Sequence, residues 1–359
     1  MTPAADHEPL HRTRARAQLL AGGRRGDTAA DVVRRVFAIQ AQDATAAALG
    51  IRARGRDLDT QAIRTAYEGD ASIVRNWFMR GTLHTIPAED VRWVSRLLAP
   101  RVIGATRHRY RELGLTDDLI ERADDLIEEV LGVQGPCTRQ ELAERLAALG
   151  VDPTGQAPFH LIRHAALIGR VCHGPVRDGE QTYVLLEDWV PEPGEPMPAG
   201  DAAVAELARR YLAAYAPATL DDFVCWSGVA VTVARRAWQD LAGSGAIVVD
   251  GDSTVLAGQE TLDESVTPDV RLLPAYDNYL TGYRTRRESV DAAHEARVWP
   301  GGGVIRPTVL VDGHVVGTWS RGSGGRVITV DPFGPLPEQV QADVDREAAA
   351  ITGFLRPAD

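Results

Sequence analysis

Two glutamines, Gln40 and Gln42, flank one small apolar residue and are the side chains of this sequence whose types and spacing best indicate chemistry. Side chains alternate faces in an extended chain, so both amides point to one side there, whereas a helix separates them by about 200°. Their neighbours, including Phe37 and Ile39, are apolar, and an amide in apolar surroundings is costly unless it has partners. We interpret the pair as a candidate site; the alternative is two solvated glutamines near the end of a helix.

Neutral amides are not strong bases, but each offers an acceptor and donors that can orient a water molecule or stabilise a positive charge. Two carboxylates are candidate accessory groups. Asp43 follows the pair directly, and Asp277 lies between Tyr276 and Tyr279. Asp277 is expected either to orient another polar group or simply to cap a turn.

The composition is that of an ordinary globular protein. At 359 residues the chain is long enough for two or three small domains, and 44% hydrophobic with 25% charged residues is typical of such proteins. No apolar run approaches the roughly 20 residues that span a bilayer, and the N-terminus lacks an apolar signal-peptide core. We expect a cytoplasmic protein that has no membrane partner and acts as a monomer.

The sequence carries no familiar metal or cofactor motif. Its three cysteines are scattered, its nine histidines form no His-Glu-x-x-His run, and it has no Gly-x-x-x-x-Gly-Lys-Ser/Thr loop. We therefore expect no metal, no nucleotide and no other cofactor. All 39 basic residues are arginine, which excludes a mechanism through a Schiff base on a lysine side chain.

Charge is distributed unevenly along the chain. The net charge of -11 argues against a protein that coats nucleic acid indiscriminately. Residues 75–111 nevertheless carry eight arginines against two acids, and the acids are concentrated elsewhere, notably within residues 117–129 and 187–201. A basic segment in an acidic chain is compatible with selective binding of duplex DNA.

Helical and extended patterns recur in one order along the chain. The first set comprises helices at 9–22, 28–38 and 60–67, a hairpin that joins 72–78 to 82–86, and a helix that begins after Pro87. The next two sets each comprise two helices and a hairpin: 138–149, 155–168 and 169–172 with 181–186, then 219–226, 229–241 and 246–249 with 254–256. Helix, turn, helix and two-stranded wing is the winged-helix plan.

We therefore predict a helix-rich α+β fold with three tandem winged-helix units and a β-rich C-terminal segment. The predicted segments are residues 1–114, 115–198, 199–268 and 269–359. In the last segment, 271–279 and 305–319 are predicted to be β-rich with a turn at Asp312-Gly313, and a closing helix covers about 337–354. The alternative is an α+β enzyme built from unrelated helices and hairpins.

Four motifs taken together resemble the winged-helix DNA glycosylase family typified by AlkZ, the azinomycin-resistance enzyme. These are Gln40-Ala41-Gln42, Trp77-Phe78-Met79-Arg80-Gly81-Thr82-Leu83-His84, Leu273-Pro274-Ala275-Tyr276-Asp277 and Arg306-Pro307-Thr308-Val309-Leu310-Val311-Asp312-Gly313. The resemblance extends from about residue 10 to 355. It implies a C-shaped arrangement of three winged-helix units and the removal of N7-alkylated guanines, including crosslinks. The antibiotic-linked branch of the family carries Gln-apolar-Gln, which implies self-resistance to a DNA-alkylating natural product.

The resemblance, the absence of lysine and the positions of side chains on the hairpins together suggest roles for individual residues. Gln40 and Gln42 are expected to be catalytic in a monofunctional hydrolase, with duplex DNA that contains an alkylated guanine as partner. Side chains on or beside the hairpins are expected to contact DNA: Arg80, His84, Arg306 and His314. The alternatives are a structural ion pair or a satisfied core histidine for the first two, and an ordinary sheet hairpin around His314.

Two other functions remain open from the sequence. The first is a non-catalytic winged-helix transcriptional regulator, although such a protein is ordinarily a compact dimer with one basic recognition helix per subunit. The second is a small-molecule hydrolase that uses Asp43 or Asp277. Base release from alkylated DNA distinguishes the glycosylase from both.

Overall fold

The chain is a mixed helix and strand fold, as the sequence predicts, in a computed structural model that describes residues 10–192, 194, 196–259, 268–322 and 327–356. Its packing divides it into two units. The central unit is Arg64–Glu206, and the terminal unit combines Met1–Ile63 with Leu207–Asp359. The four segments predicted from the sequence divide the chain by repeating pattern instead, and they stay a prediction.

The N-terminal part of the terminal unit is mostly helical. Its elements are α1 (Leu10–Ala17), α2 (Ala29–Val36), β1 (Ile39–Gln40), α3 (Ala44–Arg52) and α4 (Thr60–Arg64). Helix α2 begins at a capping box in which the Thr28 side chain accepts from the Asp31 N–H and Asp31 accepts from the Thr28 N–H, which satisfies two helix-end donors. Helix α2 therefore starts where the sequence predicts.

The central unit begins with a hairpin and a long basic helix, both as predicted. A π-helical turn at Thr65–Gly69 leads into β2 (Ile73–Trp77) and β3 (Leu83–Pro87), which pair antiparallel. The turn places Arg80 at φ 55° and Gly81 at φ 71°, and the second value suits glycine. Helix α5 (Val91–Glu112) follows after one turn of 3₁₀-helix.

The rest of the central unit is a three-stranded sheet with helices. Its elements are α6 (Asp117–Gln134), β4 (Cys137–Thr138), α7 (Arg139–Leu146), α8 (Ala157–Leu167), β5 (Val171–Arg177), β6 (Glu180–Leu185) and α9 (Leu186–Trp189). The strand order is β4-β6-β5. Leu142, Leu146 and Leu161 are fully buried in the core between these elements. Helices α7 and α8 and the β5–β6 hairpin confirm the two helices and the hairpin predicted within residues 138–186.

Residues 200–256 form three helices and a hairpin. Their elements are α10 (Gly200–Tyr215), α11 (Leu220–Ser227), α12 (Val231–Gly243), β7 (Ile247–Asp250) and β8 (Ser253–Leu256). Thr219 and Asp222 form the capping box of α11, as the predicted start at Thr219 requires. Helices α6 and α10 were not predicted from the sequence.

The C-terminal part of the terminal unit contains a four-stranded sheet. Its elements are β9 (Val270–Leu273), α13 (Asn278–Thr281), α14 (Glu295–Val298), β10 (Thr308–Val311), β11 (His314–Arg321), β12 (Ile328–Pro332) and α15 (Glu338–Phe354), with strand order β12-β11-β10-β9. The Asp312-Gly313 turn and the closing helix are confirmed. The prediction of β structure throughout 271–279 is wrong, because the strand ends at Leu273 and Asn278 begins a helix.

None of the helices in the described residues is both long enough and apolar enough to cross a membrane.

Candidate active site

The backbone reaches the glutamine pair through two residues in an unusual conformation. Helix α2 ends at Val36, and Phe37 and Ala38 then adopt φ values of 45° and 66°. Both residues are fully buried. Positive φ is sparsely populated by residues other than glycine and costs on the order of 1–3 kcal/mol each, and such residues cluster at functional sites. The surrounding structure must therefore hold this segment in place.

The two glutamine side chains lie on the same side of the chain, as the extended conformation predicts. Gln40 ends strand β1 and is half-buried, whereas Gln42 is exposed. The Nε2 of Gln40 donates to the Oε1 of Gln42 over 3.4 Å. This distance is longer than the usual range of about 2.7–3.2 Å for N–H···O bonds, so a water molecule can replace the contact at little cost.

Asp43 has a structural task beside the pair. It is the N-cap of α3, and its Oδ1 accepts the N–H of Ala46 over 3.0 Å. The residue is exposed. An accessory role of Asp43 in catalysis stays a prediction.

Asn278 is the main residue that sequence reasoning missed. Its Oδ1 accepts the backbone N–H of Gln40 over 3.0 Å, and its Nδ2 donates to the Ala38 carbonyl over 2.7 Å and to the Tyr215 hydroxyl over 2.8 Å. The side chain is buried. Because Asn278 lies 238 residues from Gln40, no local spacing could indicate the contact.

Asp277 is engaged in a buried ion pair. Arg54 donates from Nη2 to Oδ1 over 2.7 Å and from Nη1 to Oδ2 over 2.9 Å, and the exposed fractions of the two side chains are 0% and 2%. Asp277 also caps α13, because its Oδ1 accepts the Tyr279 N–H over 2.8 Å. Asp277 therefore binds another polar group and caps a helix, and an accessory role in catalysis stays a prediction.

Arg80 and His84 belong to the central unit. Arg80 is exposed on the β2–β3 turn. Burial, with a further contribution from the charge of Arg80, lowers the pKa of His84 to about 3, and its Nδ1 lies 3.0 Å from the Thr82 carbonyl. His84 is therefore neutral at pH 7 and brings no positive charge to a phosphate, which is the behaviour of a satisfied core histidine.

Arg306 and His314 belong to the terminal unit. Arg306 is exposed, and its Nη1 donates to the Arg297 carbonyl over 3.2 Å. The His314 Nε2 lies 3.4 Å from the Asp291 carboxylate.

The turn before His314 packs against its surroundings. A Cβ on Gly313 would lie 2.2 Å from the His11 carbonyl oxygen, and the Tyr279 hydroxyl donates to the Gly313 carbonyl over 2.6 Å. This is the geometry of an ordinary sheet hairpin. Contact of His314 with DNA stays a prediction.

The described residues contain no group of three or more histidines, cysteines, aspartates and glutamates that could hold a metal ion. The candidate site consists of the Gln40 and Gln42 amides, the buried Asn278 amide that binds the Gln40 backbone, and the Arg54–Asp277 pair next to Asn278.

Comparison with known proteins decides the family. Residues 33–354 match the family model described as DNA glycosylase AlkZ-like. The chain belongs to the AlkZ-like DNA glycosylase family. The family resemblance of the sequence motifs is thereby confirmed, and the chain is an enzyme of this class.

A sequence relative and a solved structure that match this chain both come from Streptomyces sahachiroi. An interstrand DNA cross-link repair glycosylase is 31% identical in an alignment of 340 residues that covers 90% of each chain. The solved structure of the DNA glycosylase AlkZ matches with a TM-score of 0.79 at 27% identity, and the match covers 96% of this chain and 95% of that one.

The buried ion pair yields a stability prediction. Arg54→Met leaves the Asp277 carboxylate buried without its partner, and breaking a buried pair in this way costs about 3–5 kcal/mol. Arg56→Met is the matched control, because Arg56 pairs with Asp27 while 65% and 77% of the two side chains remain exposed, and such pairs contribute at most about 1 kcal/mol. Urea unfolding measures both losses, and equal losses contradict the structural role assigned to the pair.

Proposed function

We propose that this glycosylase hydrolyses the N-glycosidic bond of N7-alkylguanine in duplex DNA, with Gln40 and Gln42 as its catalytic residues. The geometry of the amide pair supports this proposal. Two neutral amides lie within 3.4 Å of each other, and one of them ends a strand that a buried amide holds in place. Such a pair suits a reaction that needs a positioned water more than a strong acid.

The chemistry of the leaving group explains why amides suffice. Alkylation at N7 makes guanine cationic, so the base leaves as a neutral molecule and needs no proton from the enzyme. Catalysis then has to favour the charge that develops at C1′ of the sugar. A carbonyl dipole directed at that carbon stabilises the oxocarbenium character, and one preorganised polar group of this kind contributes about 10²- to 10³-fold, or roughly 3–4 kcal/mol.

The same amides are suited to hold the attacking water. Each carbonyl oxygen accepts a hydrogen bond and each amide group donates two, and the long contact between Gln40 and Gln42 leaves room for exchange. Because the chain contains no lysine, no lysine side chain can form a covalent intermediate with the sugar. We therefore assign a monofunctional hydrolase whose products are the neutral alkylated base and an abasic site, with the proton of the attacking water released to solvent.

Duplex DNA is the partner implied by the family, and the order of elements supports DNA-binding modules. Residues 117–185 run helix, strand, helix, helix and hairpin, and residues 200–256 run helix, helix, helix and hairpin. This order matches the winged-helix plan. We propose that these segments are winged-helix units within a tandem array, followed by the β-rich C-terminal segment.

Helix α5 provides a surface for the phosphate backbone. Arg96, Arg107 and Arg111 lie within about 60° on the helical wheel and span about 22 Å along the axis, the length of about six base pairs. All three are exposed, and within the described part of the chain no ion pair or hydrogen bond engages their guanidinium groups. Asp117 and Glu121 lie near Arg107, so the helix surface is more positive around Arg96.

The activity of one relative indicates the biological role. That protein is an interstrand DNA cross-link repair glycosylase, and we propose that this chain likewise removes bulky guanine adducts and unhooks crosslinks. Self-resistance to a DNA-alkylating natural product is the corresponding role in the cell. A non-catalytic regulator is less consistent with membership in a family of glycosylases.

The assignment of the amide pair predicts a loss of base release. Single-turnover release from a duplex with one N7-methylguanine should fall at least about tenfold in Gln40→Ala and in Gln42→Ala, since each variant removes one preorganised group. Asp59→Asn is the matched control, because the exposed Asp59 accepts the Ala62 N–H at the start of α4 and asparagine caps a helix about as well as aspartate. This control should release base at close to the native rate, whereas Asp43→Asn tests the carboxylate beside the pair.

Alkali cleavage and borohydride treatment in the same assay report the product. The proposal predicts strand cleavage only after alkali and no trapped enzyme–DNA adduct. A large loss in Asp43→Asn with little loss in the glutamine variants moves the catalytic role to the carboxylate. A borohydride-trapped adduct contradicts the monofunctional mechanism.

The α5 surface predicts a change in the salt dependence of binding. The triple variant Arg96→Gln, Arg107→Gln, Arg111→Gln should lower the slope of log affinity against log salt by about 0.9 for each phosphate that the variant no longer neutralises. A control with the same change in net charge is Arg56→Gln, Arg122→Gln, Arg346→Gln, whose arginines are exposed but paired with carboxylates. Equal slopes for the two triple variants exclude α5 as the phosphate-binding surface.

A further inference from the structure

One buried side-chain amide forms hydrogen bonds with three polar groups around the segment that leads from α2 to Gln40. Asn278 accepts the Gln40 N–H and donates to the Ala38 carbonyl and to the Tyr215 hydroxyl, with distances between 2.7 and 3.0 Å. The Tyr215 hydroxyl in turn donates to the Phe37 carbonyl over 3.4 Å. We call these contacts the Asn278 clamp. Each backbone group that it satisfies is buried or half-buried and otherwise costly to leave unpaired.

The segment that the clamp holds would not keep its conformation unaided. Phe37 and Ala38 both have positive φ, and neither is glycine, so the backbone is held against its intrinsic preference. The Phe37 ring packs near Trp226, with 6.4 Å between ring centroids. That contact fixes the side chain of Phe37, whereas the peptide groups of Ala38 and Gln40 are fixed through Asn278.

Asp277 and Arg54 hold Asn278 in place. Asp277 caps the short helix that starts at Asn278, and the buried Arg54 fork holds both carboxylate oxygens of Asp277. Arg54 also donates to the Gln18 side chain over 3.0 Å. Asn278 therefore has little freedom to move, and it transmits this rigidity to Gln40.

We propose that Asn278 is a positioning residue of the glycosylase, which sets the backbone of Gln40 so that the Gln40 and Gln42 amides face the reacting sugar together. The inference rests on the proposed catalytic role of that pair. Asn278 acts through Gln40 and makes no contact with substrate of its own. Misplacement of a catalytic group by about 1 Å costs on the order of 100-fold in rate, so the clamp governs the rate of base release and leaves DNA affinity unchanged.

Two substitutions separate the donor and acceptor functions of the clamp. Asn278→Leu removes all three hydrogen bonds at similar volume. Asn278→Asp keeps the shape, but an ionised carboxylate only accepts hydrogen bonds, so it repels the Ala38 carbonyl oxygen, whereas a protonated carboxyl group donates to Ala38 and accepts from Gln40. Burial raises the pKa of a carboxyl group, so lowering the pH should restore the clamp in this variant.

A second buried asparagine provides the matched control. Asn76 of the central unit is fully buried and donates to the Ala166 and Val171 carbonyls over 3.1 and 3.2 Å. Asn76→Leu and Asn76→Asp therefore make the same chemical change at a backbone clamp in the other unit. They report the general effect of losing a buried amide on folding and on activity.

The test is single-turnover release of N7-methylguanine by saturating full-length protein, with duplex affinity and thermal unfolding measured alongside. We expect Asn278→Leu to lose about 10- to 100-fold in release with affinity within about twofold of native. Asn278→Asp should lose as much at pH 8 and recover towards the native rate, measured at the same pH, as the pH falls to about 5.5. The folded Asn76 variants should release base at the native rate.

The result that overturns the inference is native release by a folded Asn278 variant, or an equal loss in the Asn76 variants. If Asn278→Leu does not fold, the pH series of Asn278→Asp decides, because an absence of recovery at low pH also overturns the inference. Gln40→Ala and Gln42→Ala in the same series separate the two proposals. Loss in the glutamine variants with native release in the Asn278 variants removes only the clamp, whereas native release in the glutamine variants removes the proposed site.

Discussion

The buried ion pair between Arg54 and Asp277 is the interaction on which the candidate site depends. It joins two side chains that are 223 residues apart in sequence and excludes water from both, so neither charge can be left without the other at acceptable cost. Through Asp277 it fixes the start of helix α13, and through Asn278 it fixes the backbone before Gln40. The candidate amide pair is thus supported by a chain of hydrogen bonds that reaches the core.

This arrangement matches the demands of one kind of glycosidic cleavage. A cationic base departs readily, so the enzyme need not supply a strong acid, and neutral amides avoid the cost of burying a charge near an apolar core. Their contribution depends on orientation, because a dipole stabilises a developing charge only when it is fixed in place before the reaction. The positive φ values of Phe37 and Ala38 are the local strain that this fixed geometry requires.

Local patterns predicted the parts of the fold that local physics determines. The capping residue Thr138, the hairpin turn at Asp312-Gly313 and the shared face of Gln40 and Gln42 all depend on neighbours within a few residues, and the structure has them as predicted. The family could likewise be predicted, because its motifs are short and ordered.

The remaining features depend on distant contacts or on competing signals. Helix α6 is rich in acidic residues, which is also typical of a solvated loop, although its buried face, with Ile120, Ala123 and Ile127, has helical spacing. The strand that ends at Leu273 and the clamp made by Asn278 are set by tertiary contacts. The burial that keeps His84 neutral arises in the same way, and no single-sequence pattern reports it.

If neutral amides suffice because the leaving base is cationic, a change in the charge of the base at constant shape should abolish release. Duplexes that carry one N7-methylguanine or one 7-methyl-7-deazaguanine differ in the charge of the modified base while its outline is kept. With saturating native protein in a single turnover, we predict rapid release of the cationic base, similar affinity for both duplexes, and no detectable release of the neutral base. Release of the neutral base at a comparable rate would exclude catalysis by the amide pair alone, because that release requires a proton donor that the pair does not provide.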